Sequence, residues 1–429
     1  MNNSIETHRL FLNKSISILR HCGIFDFKDS TSMYRKIFIY FIILFSQSMT
    51  LIYGLTIVAD AVANCTDLMI VASDGCIIAG WILVYFKIQK SYSVRHKILK
   101  LINDIRNPID VLLKSHDLGV LILVKEYTIF ETMDCYLVIS CTVFLGTVLI
   151  FLSLLTGDLP CRAIFPFDTT ISPFFEIAYF IQSYATAFNL VSLMTLEFIS
   201  LEFLRWTTVQ FKILSSNYQN CTSVPLKPIL SFGFTRDTID DITVFNVLNI
   251  EDEQKKINSF VAFEEREIDI INDCFKWRFK NCIKHHWRLI TIINNLNNTF
   301  SSCLMAQLGG SLFIMCLNGY LAVTFSDNKQ ILVRAVIYLL GGFLHLLYWC
   351  ALGNELKFQA DFLTTSQWMS GWENKYDSSI KNLVTTSMIK TMQPLEMRAG
   401  GLFVLTMETF ISILKSSYSV FVLLTSVSN

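Results

Sequence analysis

Charge is scarce in this chain. Only 16% of its 429 residues are Asp, Glu, Lys or Arg, and the 35 acidic and 35 basic side chains cancel. A soluble domain usually carries about 25% charged residues. The shortage argues against a disordered, solvated chain and against an extended nucleic-acid-binding surface. Glycine (17) and proline (7) are also few, which excludes a collagen-like or Pro/Gly-rich low-complexity chain. Catalytic signatures are missing: there is no phosphate-binding glycine loop, no H-E-x-x-H and no G-x-S-x-G. An enzyme is therefore not expected, nor is a cofactor. No internal period of roughly 20–50 residues marks a repeat architecture.

What the chain does have is apolar residues in long blocks. Hydrophobic residues make up 52%, with 35 Phe among them. About 20 apolar residues are needed to cross roughly 30 Å of hydrocarbon, and seven blocks are long enough. They are Ile37–Ala59, Leu68–Phe86, Cys135–Leu155, Ile177–Phe198, Phe300–Phe325, Ile331–Leu352 and Leu402–Val427. A buried helix of a soluble protein is usually shorter and keeps one polar face. Residues 1–36 lack an apolar core ahead of a small-residue cleavage site, so the first span is expected to insert the chain.

The basic residues orient the spans. Six Lys/Arg lie in residues 1–36, none in 60–67, eight in 87–134 and one in 156–176. Eleven lie in 206–297, one in 326–330 and five in 353–401. Lys and Arg collect on the cytoplasmic side. This alternation predicts an all-α membrane protein with seven transmembrane helices, a cytoplasmic N-terminus and an extracellular C-terminus, opposite to a G-protein-coupled receptor. Residues 87–134 read as helices continuing spans 2 and 3. Ser215–Lys256 is polar and turn-rich and reads as partly disordered, whereas Val261–Asn295 reads as a helix running into span 5.

Cys274, Cys282, His285 and His286 form the one Cys/His cluster. Five cations in Lys276–Arg288 oppose a metal there, so a basic helix near anionic headgroups is favoured and no metal site is expected. Cys65 and Cys161 both fall in predicted outer loops, which leaves a disulfide between them open. Asn64-Cys65-Thr66 is a glycosylation sequon on the same side.

Ionisable residues within spans imply function by default. Asp74 needs a partner: either an interhelical hydrogen bond to a Ser, Thr or Tyr, or a ligand. Arg334 near a span end reads as an interface anchor. Glu408 and Lys415, seven apart, share one face of span 7, either as a wet seam or as a buried pair locking two helices. Ser416, Ser419 and Ser426 add a hydroxyl stripe beside Leu423 and Val427, a pattern that can form a dewetting gate around an axis.

Three blocks stand out toward the end of the chain. The first is Gly353-Asn354-Glu355-Leu356. The second runs from Ser370-Gly371-Trp372 through Met388 to Gln393-Pro394-Leu395 and Ala399-Gly400. The third is Lys415-Ser416-Ser417-Tyr418-Ser419-Val420-Phe421, followed by Leu423-Leu424. Together with seven spans and an inner N-terminus, these blocks resemble the insect odorant receptors. The chain departs from the pattern at Trp368, where a tyrosine is expected, and at Glu373, where an aromatic often stands. The resemblance implies an odorant-specific subunit of a heterotetrameric, odorant-gated, non-selective cation channel, assembled with a shared co-receptor subunit. Its location would be the plasma membrane of a sensory neuron dendrite.

The implied layout is a cytoplasmic N-terminus (1–36) with an amphipathic helix over Ile5–Ile24, then spans 1–4 (37–205) and a cytoplasmic loop (206–297). Spans 5–6 (298–352), a cytoplasmic anchor region (353–401) and the pore-lining span 7 (402–429) complete it. In the family a small volatile sits in the outer half of the bundle, between spans 2, 3, 4 and 6. That implies ligand contact from Met69, Ser73, Ile77, Phe144, Thr147, Phe151, Tyr179, Ser183, Tyr184, Phe188 and Tyr338. An aromatic, nearly uncharged pocket of this kind suits esters, alcohols or aldehydes. Leu423 and Val427 would form the constriction, with Ser426 near the ion path. A gustatory receptor-type channel is the alternative, with a G-protein-coupled receptor or a transporter further off.

Overall fold

The computed structural model describes residues 33–113, 117–222, 255–264, 274–324, 329–375 and 377–428. The stretch Ile5–Ile24 and residues 223–254 lie outside them. Among the described residues eight α-helices carry the fold: α1 Met33–Ala63, α2 Leu68–Leu112, α3 Leu118–Thr156, α4 Phe174–Gln219, α5 Phe275–Thr324, α6 Lys329–Trp368, α7 Ser378–Thr391 and α8 Met407–Ser428. Short polar punctuation separates them. Asp67 caps α2 by accepting from the Met69 and Ile70 amides, and Asp117 caps α3 through the Val120 amide. Gly157 ends α3 in the left-handed conformation, φ 74°.

Short connections make successive long helices antiparallel. The α1–α2 turn, the α3–α4 loop, the end of α5 and the start of α6 share one end of the bundle, here called the turn end. At the other end α2, α4, α5 and α6 continue well past the apolar blocks. Their 40–50 residues give about 60–75 Å at 1.5 Å per residue, roughly twice a hydrocarbon core. Helix α5 is central and packs against α2, α4, α6 and α8. The main core lies along these extensions, with Phe203, Phe211 and Tyr218 of α4 against Phe279, Leu289 and Leu296 of α5 and Leu356 and Leu363 of α6.

Among the described residues, six helices, α1 to α6, are long and apolar enough to cross a membrane. The seventh block folds as α8, a 22-residue helix that carries eight Ser/Thr, Glu408 and Lys415. Its start corrects the expected one. Phe403–Val404 pairs antiparallel with Arg398–Ala399, and the turn uses Gly400 and Gly401 at φ 61° and 74°, so the helix begins at Met407. A Cβ on Gly353 would lie 2.5 Å from the Leu405 carbonyl oxygen; glycine there lets the entry to α8 press against α6.

Two further expectations are corrected. Ser215–Gln219 is the last turn of α4 rather than part of a disordered segment. Val261–Glu264 is not helical: residues 255–264 form an irregular strap, pinned where Asp117 accepts from the Ser259 amide (2.9 Å) and hydroxyl (2.6 Å). The strap covers the Cys/His cluster. Phe263 stacks on His285 with ring centroids 3.5 Å apart, and Arg278, Cys282, His285 and His286 are all buried. This stretch of α5 is therefore a core element, not a headgroup-facing surface helix. Among the described residues no group of three or more His, Cys, Asp or Glu is placed to hold a metal.

A buried polar tie joins four helices. Lys87 of α2 donates to Glu197 of α4 and to Gln307 of α5. Trp349 of α6 donates to the other Glu197 oxygen at 2.8 Å, and Gln307 meets His345 of α6 at 2.9 Å. Nearby, Arg205 of α4 pairs with Glu202 and with Asp134 of α3, and Tyr348 of α6 donates to Asp134. Buried charges persist when they are paired and hydrogen-bonded.

Candidate ligand site and polar helix face

At the turn end the α3–α4 loop folds inward between α1 and α4. Gln182 of α4 clamps its backbone, accepting from the Cys161 amide (2.9 Å) and donating to the Cys161 carbonyl (3.0 Å). The Ile164 amide donates to the Thr56 carbonyl of α1 at 3.1 Å. This docks Cys161 against Tyr53, with hydroxyl and sulfur 3.4 Å apart. Burial pushes the Cys161 thiol pKa up, which keeps it a neutral S–H. Cys65 and Cys161 are both free thiols, so the open disulfide is not formed. The Asn64 side-chain amide is occupied by Asp60, through the carboxylate at 2.7 Å and the carbonyl at 3.0 Å.

Tyr338 of α6 lies within electrostatic reach of Cys161, Cys76 and Arg334, and Cys76 of α2 accepts from Asn318 of α5 at 3.3 Å. Tyr53, Ile57 and Ala185 pack with Ile77, Ile78 and Trp81 of α2. Trp81 also donates to the Thr50 carbonyl at 2.9 Å and lies so close to α1 that a Cβ on Gly54 would come 2.0 Å from its ring. Five helices and one loop thus converge on Tyr53, Cys161 and Tyr338.

The residues expected to touch a ligand fall into three groups. Ile77 and Tyr338 belong to this convergence, and Met69 and Ser73 are half-buried on the same end of α2. The α4 residues mostly tie helices together. The Tyr179 hydroxyl donates to the Ile150 carbonyl at 2.6 Å. Tyr184 meets the Ser46 hydroxyl at 2.7 Å and packs edge-on to Phe45. Phe188 packs on the main core, while the buried Ser183 hydroxyl oxygen has no hydrogen-bond partner among the described residues. Phe144, Thr147 and Phe151 form the third group: all three are exposed on the outward side of α3, away from the convergence.

Tyr53 and Asp60 of α1, Gln182 of α4 and Cys161 of the loop join this region without belonging to the expected ligand contacts. The single apparent signal was Asp60 at the end of an otherwise uncharged block. The expectation of a nearly uncharged site is also corrected. Among the described residues Asp74 hydrogen-bonds Asp60 rather than a Ser, Thr or Tyr. It faces Asp60 of α1, and Arg162 from the loop pairs with Asp60 at 2.8 Å.

Helix α8 buries one face and exposes the other. Phe410, Ile413, Ser417 and Phe421 turn inward: Phe410 meets Phe343 edge-on, and the Cys316 thiol of α5 donates to the Ser417 carbonyl at 3.3 Å. Glu408, Ser412, Lys415, Ser416, Ser419, Leu423 and Ser426 point outward. Glu408 and Lys415 are thus not a buried locking pair. The Ser416, Ser419 and Ser426 hydroxyls donate to carbonyls of their own helix, leaving their oxygen lone pairs outward. Val427 lies on the same helix, at its last turn.

A family model described as 7tm odorant receptor matches residues 71–418. Curated relatives include odorant receptor 10 of Aedes albopictus, 26% identical over 44% of this chain and 48% of its own length. Another is odorant receptor Or2 of Anopheles gambiae, 24% identical over 35% of this chain and 39% of its own length. The chain thus spans less than half the length of these relatives in the matched stretches. Among solved structures, the olfactory receptor OR5 of Machilis hrabei in complex with eugenol superposes with a TM-score of 0.74 at 14% identity, covering 99% of both chains. At that identity the likeness concerns the fold.

Proposed function

The chain belongs to the 7tm odorant receptor family, and we propose that it is the odorant-binding subunit of a heteromeric, odorant-gated, non-selective cation channel in the plasma membrane of a sensory neuron. Its N-terminus is cytoplasmic and its turn end extracellular, which puts the convergence of Tyr53, Cys161, Gln182 and Tyr338 in the outer half of the bundle. A small volatile enters there, beneath the α3–α4 loop, against Ile77, Tyr338 and the half-buried Met69, Ser73 and Ser183. Phe144, Thr147 and Phe151 face lipid in this reading. Helix α8 borders the pore, with Leu423 and Val427 as its constriction and Ser426 beside the ion path.

The observation that carries this reading is the outward face of α8. Glu408, Lys415 and four serines stand exposed on a helix packed by its other face against α5 and α6. Lipid does not accommodate such a face at membrane depth, so it borders water or other subunits. Ligand binding shifts the population toward an arrangement in which the α8 copies stand further apart.

The test is electrical. Co-expression with a co-receptor subunit is expected to give volatile-evoked cation current that disappears when this chain alone is omitted. Equal current without it sinks the proposal, as does an N-terminal tag readable on intact cells.

A further inference from the structure

At the candidate site two buried carboxylates share one cation. Asp60 and Asp74 are each only 2% exposed and face one another across α1 and α2. Asp60 is provided for: Arg162 pairs with it at 2.8 Å and the Asn64 amide donates to it at 2.7 Å. Asp74 relies on the same pair: its side chain hydrogen-bonds Asp60, and the Asp60 charge acts on it more strongly than that of Arg162. Its Oδ2 is buried without a hydrogen-bond donor among the described residues. Arg334 of α6 is exposed and lies by Cys161 and Tyr338. Two buried carboxylates that share one cation are costly, and a cation or a donor supplied from outside lowers that cost.

The surroundings define what would supply it. Asp74, Ile77, Ile78 and Trp81 recur at helical spacing on one face of α2, so the carboxylate sits at the end of an apolar wall shared with Tyr53 and Ile57. The tyrosine rings of Tyr53 and Tyr338 present faces that attract cations. An anion is disfavoured by the paired carboxylates. A neutral alcohol gives one hydrogen bond but no charge compensation, and esters and aldehydes donate nothing. A protonated primary amine on a short alkyl chain provides three donors, a positive charge and an apolar tail.

We propose that the ligands of this receptor are small alkylamines, bound as ammonium ions to Asp74 with the alkyl chain along Ile77, Ile78 and Trp81. This rests on the proposal that the chain is an odorant-gated subunit.

The experiment uses the full chain with its co-receptor subunit in cells, probed with butylamine to octylamine, and with the alcohols and carboxylic acids of the same chain lengths. The amines are expected to open the channel at concentrations at least about tenfold below the matching alcohols. Asp74→Asn, normalised for surface level, is expected to remove that preference; Asp74→Glu is expected to keep it. The two carboxylate variants together keep the test decisive if one of them reaches the surface poorly. Equal sensitivity to amines and alcohols in the unaltered receptor overturns the inference, as does an amine preference that survives Asp74→Asn. Current evoked by neutral volatiles but never by amines overturns the amine assignment alone. No current with any volatile overturns the receptor reading beneath it.

Discussion

Helices α3 and α8 both turn a long face out of the chain, and the two faces are equally bare. On α3 that face is Tyr136, Leu137, Val143, Phe144, Val148 and Phe151; on α8 it includes Glu408, Ser412, Lys415, Ser416, Ser419, Leu423 and Ser426. Exposure alone does not say what touches a helix in the assembled molecule. Chemistry does. The α3 face can lie against acyl chains, since its exposed Ser140 and Thr147 hydroxyls donate to carbonyls of their own helix, whereas the α8 face also carries the charges of Glu408 and Lys415, which acyl chains leave unsolvated. One sequence thus encodes two outward faces for two different surroundings.

The comparison breaks most visibly if the same charge is placed on each face. Arginine at the centre of a lipid-facing helix costs about 2.5–3.5 kcal/mol on insertion scales. Phe144→Arg is therefore expected to reduce the surface level of the receptor by an order of magnitude or more. Ser419→Arg on α8 is expected to leave surface level near normal and to suppress cation current by adding positive charge to the ion path. Surface biotinylation and current amplitude read the two effects. Equal loss of surface level in both variants would put α8 in lipid and sink the pore assignment.

A gentler change sharpens the same contrast. Ser419→Cys and Ser426→Cys are expected to react with a charged, water-soluble thiol reagent during channel opening and to change the evoked current severalfold. Phe151→Cys, equally exposed in the isolated chain, is expected to show no change, because a thiolate-directed charged reagent does not partition into hydrocarbon.

Much of this was legible in the amino-acid sequence, for definable reasons. The apolar blocks are long, and length is the signal that a spanning helix cannot avoid. The polar face of α8 was legible because Glu408, Lys415 and the serines recur at helical spacing. Pairing was not legible. Glu197, His345 and Asp74 each stood out as ionisable residues inside an apolar block, yet nothing in the chain order says that Glu197 meets Lys87 and Trp349, or that Asp74 meets Asp60. These contacts join residues from about 14 to more than 150 positions apart and depend on helix rotation, which a nearly all-round apolar helix does not specify. Phe144, Thr147 and Phe151 make the same point: their shared helical face is readable, but that it points outward is not. The strap at 255–264 escaped because Asp117 holds it by side-chain acceptance of local amides, a tertiary contact without sequence periodicity.

Leu423 gives the finest test of the contrast. It is 62% exposed on α8, as is Leu137 on α3, so by exposure the two leucines are indistinguishable. Leu423 lies among hydroxyls, with the Ser426 hydroxyl bonded to its own carbonyl at 2.8 Å. Leu137 has one such hydroxyl, Ser140, bonded to its carbonyl at 2.9 Å, but its other exposed neighbours include Met133, Tyr136 and Ile139. An apolar ring in a polar passage closes it by excluding water, and trimming the ring lets water and ions through. Leu423→Ala is therefore expected to raise basal current a few-fold without ligand, whereas Leu137→Ala is expected to leave basal current unchanged, since lipid fills the space it vacates. Basal current recorded at matched surface levels measures the difference. An unchanged basal current in Leu423→Ala would move the constriction to another part of the molecule, even with the polar face of α8 still in water.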